Sequence, residues 1–144
     1  MRRIALRLSY DGTFFNGWQI QKQGRTVQAV LEKALSEICK QEIKIMGSGR
    51  TDSGVHALNQ IAHLDFPLNF ELSRLPIALH TKLPADIRIK QVYAVDDKFH
   101  ARYDAYERNY RYILTSIRTP FNRYYKTFLP RKKIDIDLIK SALS

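Results

Sequence analysis

The N-terminal residues alternate, with Ile4, Leu6, Leu8 and Tyr10 apolar and Arg3, Ala5, Arg7 and Ser9 small or polar between them. This is the period of a half-buried strand, and Asp11-Gly12-Thr13 marks the turn that ends it. From Thr26 to Lys40 the period changes. Val27, Val30, Leu31, Ala34, Leu35 and Ile38 recur at i, i+3, i+4 and i+7, which predicts an amphipathic helix with Thr26 as its cap. Glu42 to Met46 and Asn59 to Phe66 read as strands on either side of a glycine-rich loop, Gly47 to Gly54. A second helix is predicted over residues 73 to 82, with Ser73 as its cap and Pro76 in the first turn, where proline is tolerated. Ile87 to Val95 and Tyr110 to Leu114 each alternate like strands.

The order β-α-β-β-α-β plus one further strand predicts an α+β domain. Its antiparallel sheet carries helices on one face and leaves the other open to a ligand. The 144 residues suffice for one domain with a real core, and no internal repeat or low-complexity linker divides them. The C-terminal run Ile134 to Lys140 starts like a capped helix and meets Ser144 about two turns later. It reads as a chain cut short within an element.

Charge narrows the class of partner. The chain has 24 Lys and Arg against 14 Asp and Glu, a formal +10, an excess that in a small domain points to a polyanion. No apolar run approaches the roughly 18 to 20 residues that span a bilayer, so nucleic acid is favoured over membrane. One cysteine, Cys39, excludes an intrachain disulfide and a cysteine-based metal site, and fits a reducing cytoplasm. His56, His63, His80 and His100 lack metal-motif spacing and are read as structural or RNA-facing. Trp18 is read as core.

Two constellations carry candidate chemistry. In Gly47-Ser48-Gly49-Arg50-Thr51-Asp52-Ser53-Gly54-Val55-His56-Ala57, glycines permit positive φ and close approach of a substrate to the backbone. Arg50 beside Asp52 would hold the carboxylate ionised and ready as a nucleophile. The alternative is a tight loop in which the two merely pair. The motif Gly-Lys-Ser/Thr is absent, which disfavours a phosphate-cradling P-loop. The second constellation, Lys98 to Lys133, holds ten Lys and Arg, two carboxylates and nine aromatics. Cations that meet phosphates and rings that stack on unpaired bases suit RNA, unless the rings are core and the cations a solvated face. Arg108, Arg111, Lys126 and Arg131 are the candidate RNA contacts in this stretch.

Several segments together resemble the tRNA pseudouridine synthase A family: Tyr10-Asp11-Gly12, Gly17-Trp18-Gln19, Val27-Gln28, Gly49-Arg50-Thr51-Asp52, Gly54-Val55-His56, Leu83-Pro84, Phe99-His100-Ala101-Arg102 and Arg108-Asn109-Tyr110-Arg111-Tyr112. The resemblance implies the N-terminal, ferredoxin-like half of the pseudouridine synthase fold. It also implies isomerisation of uridine to pseudouridine in the anticodon arm of tRNA, with no metal or other cofactor, usually by a homodimer. It places Asp52 as the catalytic aspartate, Arg50 as the arginine that helps flip the target nucleotide, Tyr110 as the ring that stacks on the flipped uracil, and Arg102 as an arginine near the site. Ser53 departs from the family's usual alanine. Family members continue for roughly another hundred residues, which supply further site residues, so the chain is expected to be a truncated N-terminal portion. Rival readings are a non-catalytic RNA-binding module, an inactive fragment and a metal-dependent nuclease using Asp52 with histidines.

Overall fold

A computed structural model describes residues 1–67, 69–129 and 135–143. The chain divides into two compact units, Met1–Glu107 and Arg108–Ser144. In the first, β1 (Arg2–Tyr10), α1 (Val27–Cys39), β2 (Met46–Gly47), β3 (Ala57–Phe66), α2 (Leu75–His80) and β4 (Ile87–Ala94) follow in order. The sheet runs β2-β3-β1-β4 with every neighbouring pair antiparallel. Such interleaving is what a split βαβ unit produces, because each helical crossover leaves room for one strand between the two it joins.

Alternation in β1 is what separates the faces. Ile4, Leu6, Leu8 and Tyr10 enter one buried cluster with Ala62, Leu64 and Phe66 of β3, Ile87 and Ile89 of β4, and Val27, Leu31, Leu35, Leu75 and Leu79 of the two helices. Each fully buried aliphatic side chain there stabilises the fold by about 1.5–3 kcal/mol relative to exposure. Both helices therefore cover one face. On the other face Arg3, Ala5 and Arg7 lie opposite Asp65, His63 and Ile61. Arg7 leaves its Nε buried with no hydrogen-bond partner among the described residues.

The first helix forms as its pattern predicts: the Thr26 side chain accepts the Ala29 amide at 3.4 Å, and the chain leaves through Lys40 in the left-handed region, φ 56°. Three elements differ from the sequence expectation. Residues 42–45 form no strand, because side chains of α1 take their amides: Ser36 Oγ accepts from Ile43 at 2.9 Å and the buried Glu32 Oε1 from Ile45 at 3.1 Å. The second helix starts later and stops earlier. Ser73 does not cap it but bonds Glu71 within a 3₁₀ turn, Leu72–Arg74, while Pro76 does sit in the first turn of α2.

Residues 108–113 are the third difference. They pair with no strand among the described residues, and Tyr110 and Tyr112 are 73% and 84% exposed, so the alternation has no buried face to serve. Leu114–Thr115 (β5) pairs in parallel with Thr127–Phe128 (β6). A helix α3, Ile136–Leu143, follows, and Asp135 accepts the amides of Asp137 and Leu138 at its start.

Candidate functional site

The glycine-rich loop is held by its backbone. The Trp18 amide donates to the Thr51 carbonyl at 3.0 Å, and the Gly54 amide to the Phe15 carbonyl at 3.2 Å. Approach is so close that a Cβ on Gly17 would lie 2.4 Å from the Thr51 carbonyl oxygen, and one on Gly12 2.0 Å from that of Val55. Gly17 and Gly54 have φ of 82° and 79°, the left-handed region that glycine adopts without penalty. Gly47 answers a different need, since a Cβ there would lie 2.6 Å from the buried Trp18 ring.

Side chains complete the frame. Tyr10 Oη and Thr51 Oγ1 share a hydrogen bond of 2.8 Å, and burial pushes the Tyr10 phenol above its ordinary range against the opposing effect of that bond. The Gln60 amide donates to the Gly49 carbonyl at 2.6 Å, Ser53 Oγ donates to the Phe15 carbonyl at 3.2 Å, and the Gly12 amide donates to His56 Nδ1 at 3.1 Å. Arg25 packs 3.9 Å over the Phe15 ring and makes a two-pronged pair with Asp86 at 2.7 and 3.0 Å. The Asp86 carbonyl in turn accepts the Asp11 amide at 2.9 Å, so the turn after β1 is tied to the start of β4.

Within this frame Arg50 and Asp52 flank the fixed Thr51, exposed, and line one cavity of about 190 Å³ with Asn16, Gln19, Gln21, Thr51 and Ser53. The expected pairing is corrected here: among the described residues no ion pair joins Arg50 to Asp52, and the Asp52 carboxylate accepts no protein hydrogen bond. The strap from Trp18 to Thr51, and not a pair between the two side chains, fixes the loop. This leaves the carboxylate's acceptor capacity for a ligand.

Arg102 does not line this cavity. It is exposed on the segment after β4, where Ala101 is buried and donates its amide to His63 Nδ1 at 3.1 Å. The other histidines are also backbone acceptors. His80 Nε2 takes the Ile89 amide at 3.1 Å and His100 Nδ1 the Arg102 amide at 3.3 Å. Among the described residues no group of three or more His, Cys, Asp or Glu could hold a metal ion, and no helix is long and apolar enough to cross a membrane.

Tyr110, Arg108, Arg111 and Lys126 belong to the second unit and are exposed. Arg131 lies outside the described residues. None of the nine aromatics between Phe99 and Phe128 is buried, so the reading of these rings as core is corrected. Lys126 shares a cavity of about 300 Å³ with Arg118 and Arg123, two cations the sequence reading did not single out. Their rings are the missed signal: Arg118 lies 5.2 Å from the Phe128 centroid and Arg123 4.3 Å from that of Tyr124.

A family model described as tRNA pseudouridine synthase matches residues 8–104. The chain belongs to the tRNA pseudouridine synthase family. It is 41% identical to tRNA pseudouridine synthase A of Exiguobacterium sp. over 99% of this chain and 58% of the relative, and 46% identical to that of Halalkalibacterium halodurans over 99% and 55%. With tRNA pseudouridine synthase A of Bacillus subtilis the identity is 47%, over 85% of this chain and 51% of the relative. The chain thus spans about half the length of the curated relatives it matches. The family match takes in both the glycine-bracketed Asp52 loop and the segment that carries Arg102.

Proposed function

We propose that the protein isomerises uridine to pseudouridine in the anticodon arm of tRNA, with Asp52 as nucleophile. One observation carries this reading. In a member of this family, the backbone around Asp52 is locked by Thr51 and Gly54 while the carboxylate itself, beside Arg50 on a cavity, engages no donor among the described residues.

The reaction breaks the N1–C1′ bond, turns the ring and joins C5 to C1′. The C5 hydrogen leaves as a proton and N1 ends protonated, so no oxidant, reductant or group donor enters. Asp52 attacks either C6 of the ring or C1′ of the sugar, or it acts as a base in a glycal route. The uridine must first leave the stack, which costs a few kcal/mol. Arg50 assists the flip, Tyr110 offsets part of its cost by stacking on the extruded uracil, and Arg102 contacts the substrate. Arg108, Arg111, Lys126 and Arg131 meet backbone phosphates. Two copies of the complete protein serving one tRNA is the arrangement the family resemblance implies, and the single Cys39 fits a reducing cytoplasm.

The test is tritium release from C5 of uridine-labelled, unmodified tRNA by the complete protein. Asp52→Asn keeps size and shape and abolishes release while tRNA affinity stays within a few fold, and chelator leaves the wild-type rate unchanged. Release that persists in Asp52→Asn removes the nucleophile from its role. Binding without any release by the wild type would identify an RNA-binding module instead.

A further inference from the structure

His63 sits in β3 opposite Ala5 of β1, on the sheet face turned away from α1 and α2. It is nonetheless only 7% exposed. Its ring meets Phe99 edge-on with centroids 6.1 Å apart and His100 at 4.7 Å, and His100 stacks on Tyr103 at 4.2 Å. Two groups of the sheet then grip the backbone just ahead of Arg102: Arg3 Nη1 donates to the Phe99 carbonyl at 3.2 Å, and His63 Nδ1 accepts the Ala101 amide at 3.1 Å.

We propose that His63 is a positioning residue for Arg102, a sheet-borne acceptor that fixes the Ala101 peptide and with it the direction in which Arg102 leaves its segment. The proposal rests on the reading of Arg102 as a substrate contact. A buried amide without this acceptor would have to find another partner, and the segment would shift to supply one. Displacements of about 1 Å at a substrate-contacting group can cost on the order of a hundredfold in rate.

The anchor has a chemical condition. Nδ1 accepts only while it is unprotonated, so the ring must be the neutral tautomer with its proton on Nε2. The charged and titratable groups facing it are Arg3 from β1, Asp65 on β3, and His100 and Asp104 from the covering segment, while β2 places Met46 and β4 places Tyr93 at this level of the sheet. Burial first, then His100 and Arg3, hold the imidazole below the ordinary histidine range against Asp65 and Asp104. The grip is in place at neutral pH and is released on acidification.

Three variants of the complete protein test this. His63→Phe keeps a ring and removes the acceptor, His63→Asn sets an amide oxygen near the place of Nδ1 without a titrating group, and Arg102→Ala reads the arginine's own role. His63→Phe is expected to lower kcat by about tenfold to a hundredfold, with KM for tRNA changed by no more than about threefold, and to speed solvent exchange of the Ala101 amide. His63→Asn restores most of kcat and slow exchange, and its kcat no longer falls as pH drops below the ordinary histidine range. Wild-type kcat in His63→Phe alongside impaired Arg102→Ala overturns the proposal alone. Undiminished kcat in Arg102→Ala overturns the reading beneath it. Should His63→Phe fail to fold, an acid limb in His63→Asn unchanged from wild type is the overturning result.

Discussion

The segment carrying Asp52 and the segment carrying Arg102 are fastened to the same sheet by different chemistry. Around Asp52 the fastening is chiefly backbone on backbone: Gly12 and Gly17 let two strands of loop approach closer than any side chain allows, the neutral pair Tyr10–Thr51 finishes the seam, and His56 takes the Gly12 amide at its edge. Around Arg102 it is side chain on backbone, with His63 and Arg3 reaching from the sheet to a peptide each. The bonds Trp18–Thr51, Gly54–Phe15 and Tyr10–Thr51 hold no group that titrates between pH 5 and 8. An imidazole acceptor does. The contrast separates a segment whose fastening is fixed from one whose fastening can respond to conditions.

The largest expected effect tests the rigid seam. Gly17→Ala combines a left-handed backbone with a Cβ placed 2.4 Å from the Thr51 carbonyl, and should destabilise the protein by about 3 kcal/mol or more, read as a lower midpoint in urea unfolding. A midpoint unchanged from wild type would mean that the seam yields easily, and the contrast would collapse. Next in size is the acid response. The folded values of His63 and His80 are both held below the ordinary 6.5, chiefly by burial. The unfolded chain therefore binds protons that the native state refuses, so stability is full above about pH 6.5 and falls as pH drops toward the folded values. Urea midpoints measured from pH 7.5 to 5 should decline, and His63→Asn should flatten part of that decline. The smallest effect sharpens the neutral half: Tyr10→Phe removes one hydroxyl and should cost about 1 kcal/mol, equally at pH 7.5 and pH 5.5. A cost that varies with pH would assign the seam a titrating member.

How much of this could be read from the chain follows the range of the interactions. β1, α1, β3 and β4 were legible because local periodicity and the Thr26 cap decide them. Residues 42–45 were not, because nothing local reveals that Ser36 and Glu32 will claim their amides from across a turn. The stretch from Tyr110 to Ile113 alternates as a strand does, yet alternation states only which faces could differ and not that a partner strand is at hand. The Gly-Arg-Thr-Asp loop was legible as a tight bend carrying a carboxylate. Its means of restraint was not, since the strap from Trp18 to Thr51 joins residues 33 positions apart. The histidines show the same limit: their spacing argued against a metal, but the amides they accept belong to pairings that exist only once the sheet has formed.

Trp18 gives the rigid seam an optical voice. It is the only tryptophan in the chain, its ring lies buried against Gly47, and its own amide makes the bond to Thr51. Intrinsic emission from this protein therefore comes from a fluorophore built into the bend that presents Asp52. Admission of water at that bend would redden the spectrum without any added label, so emission recorded while tRNA is added tests whether the bend opens.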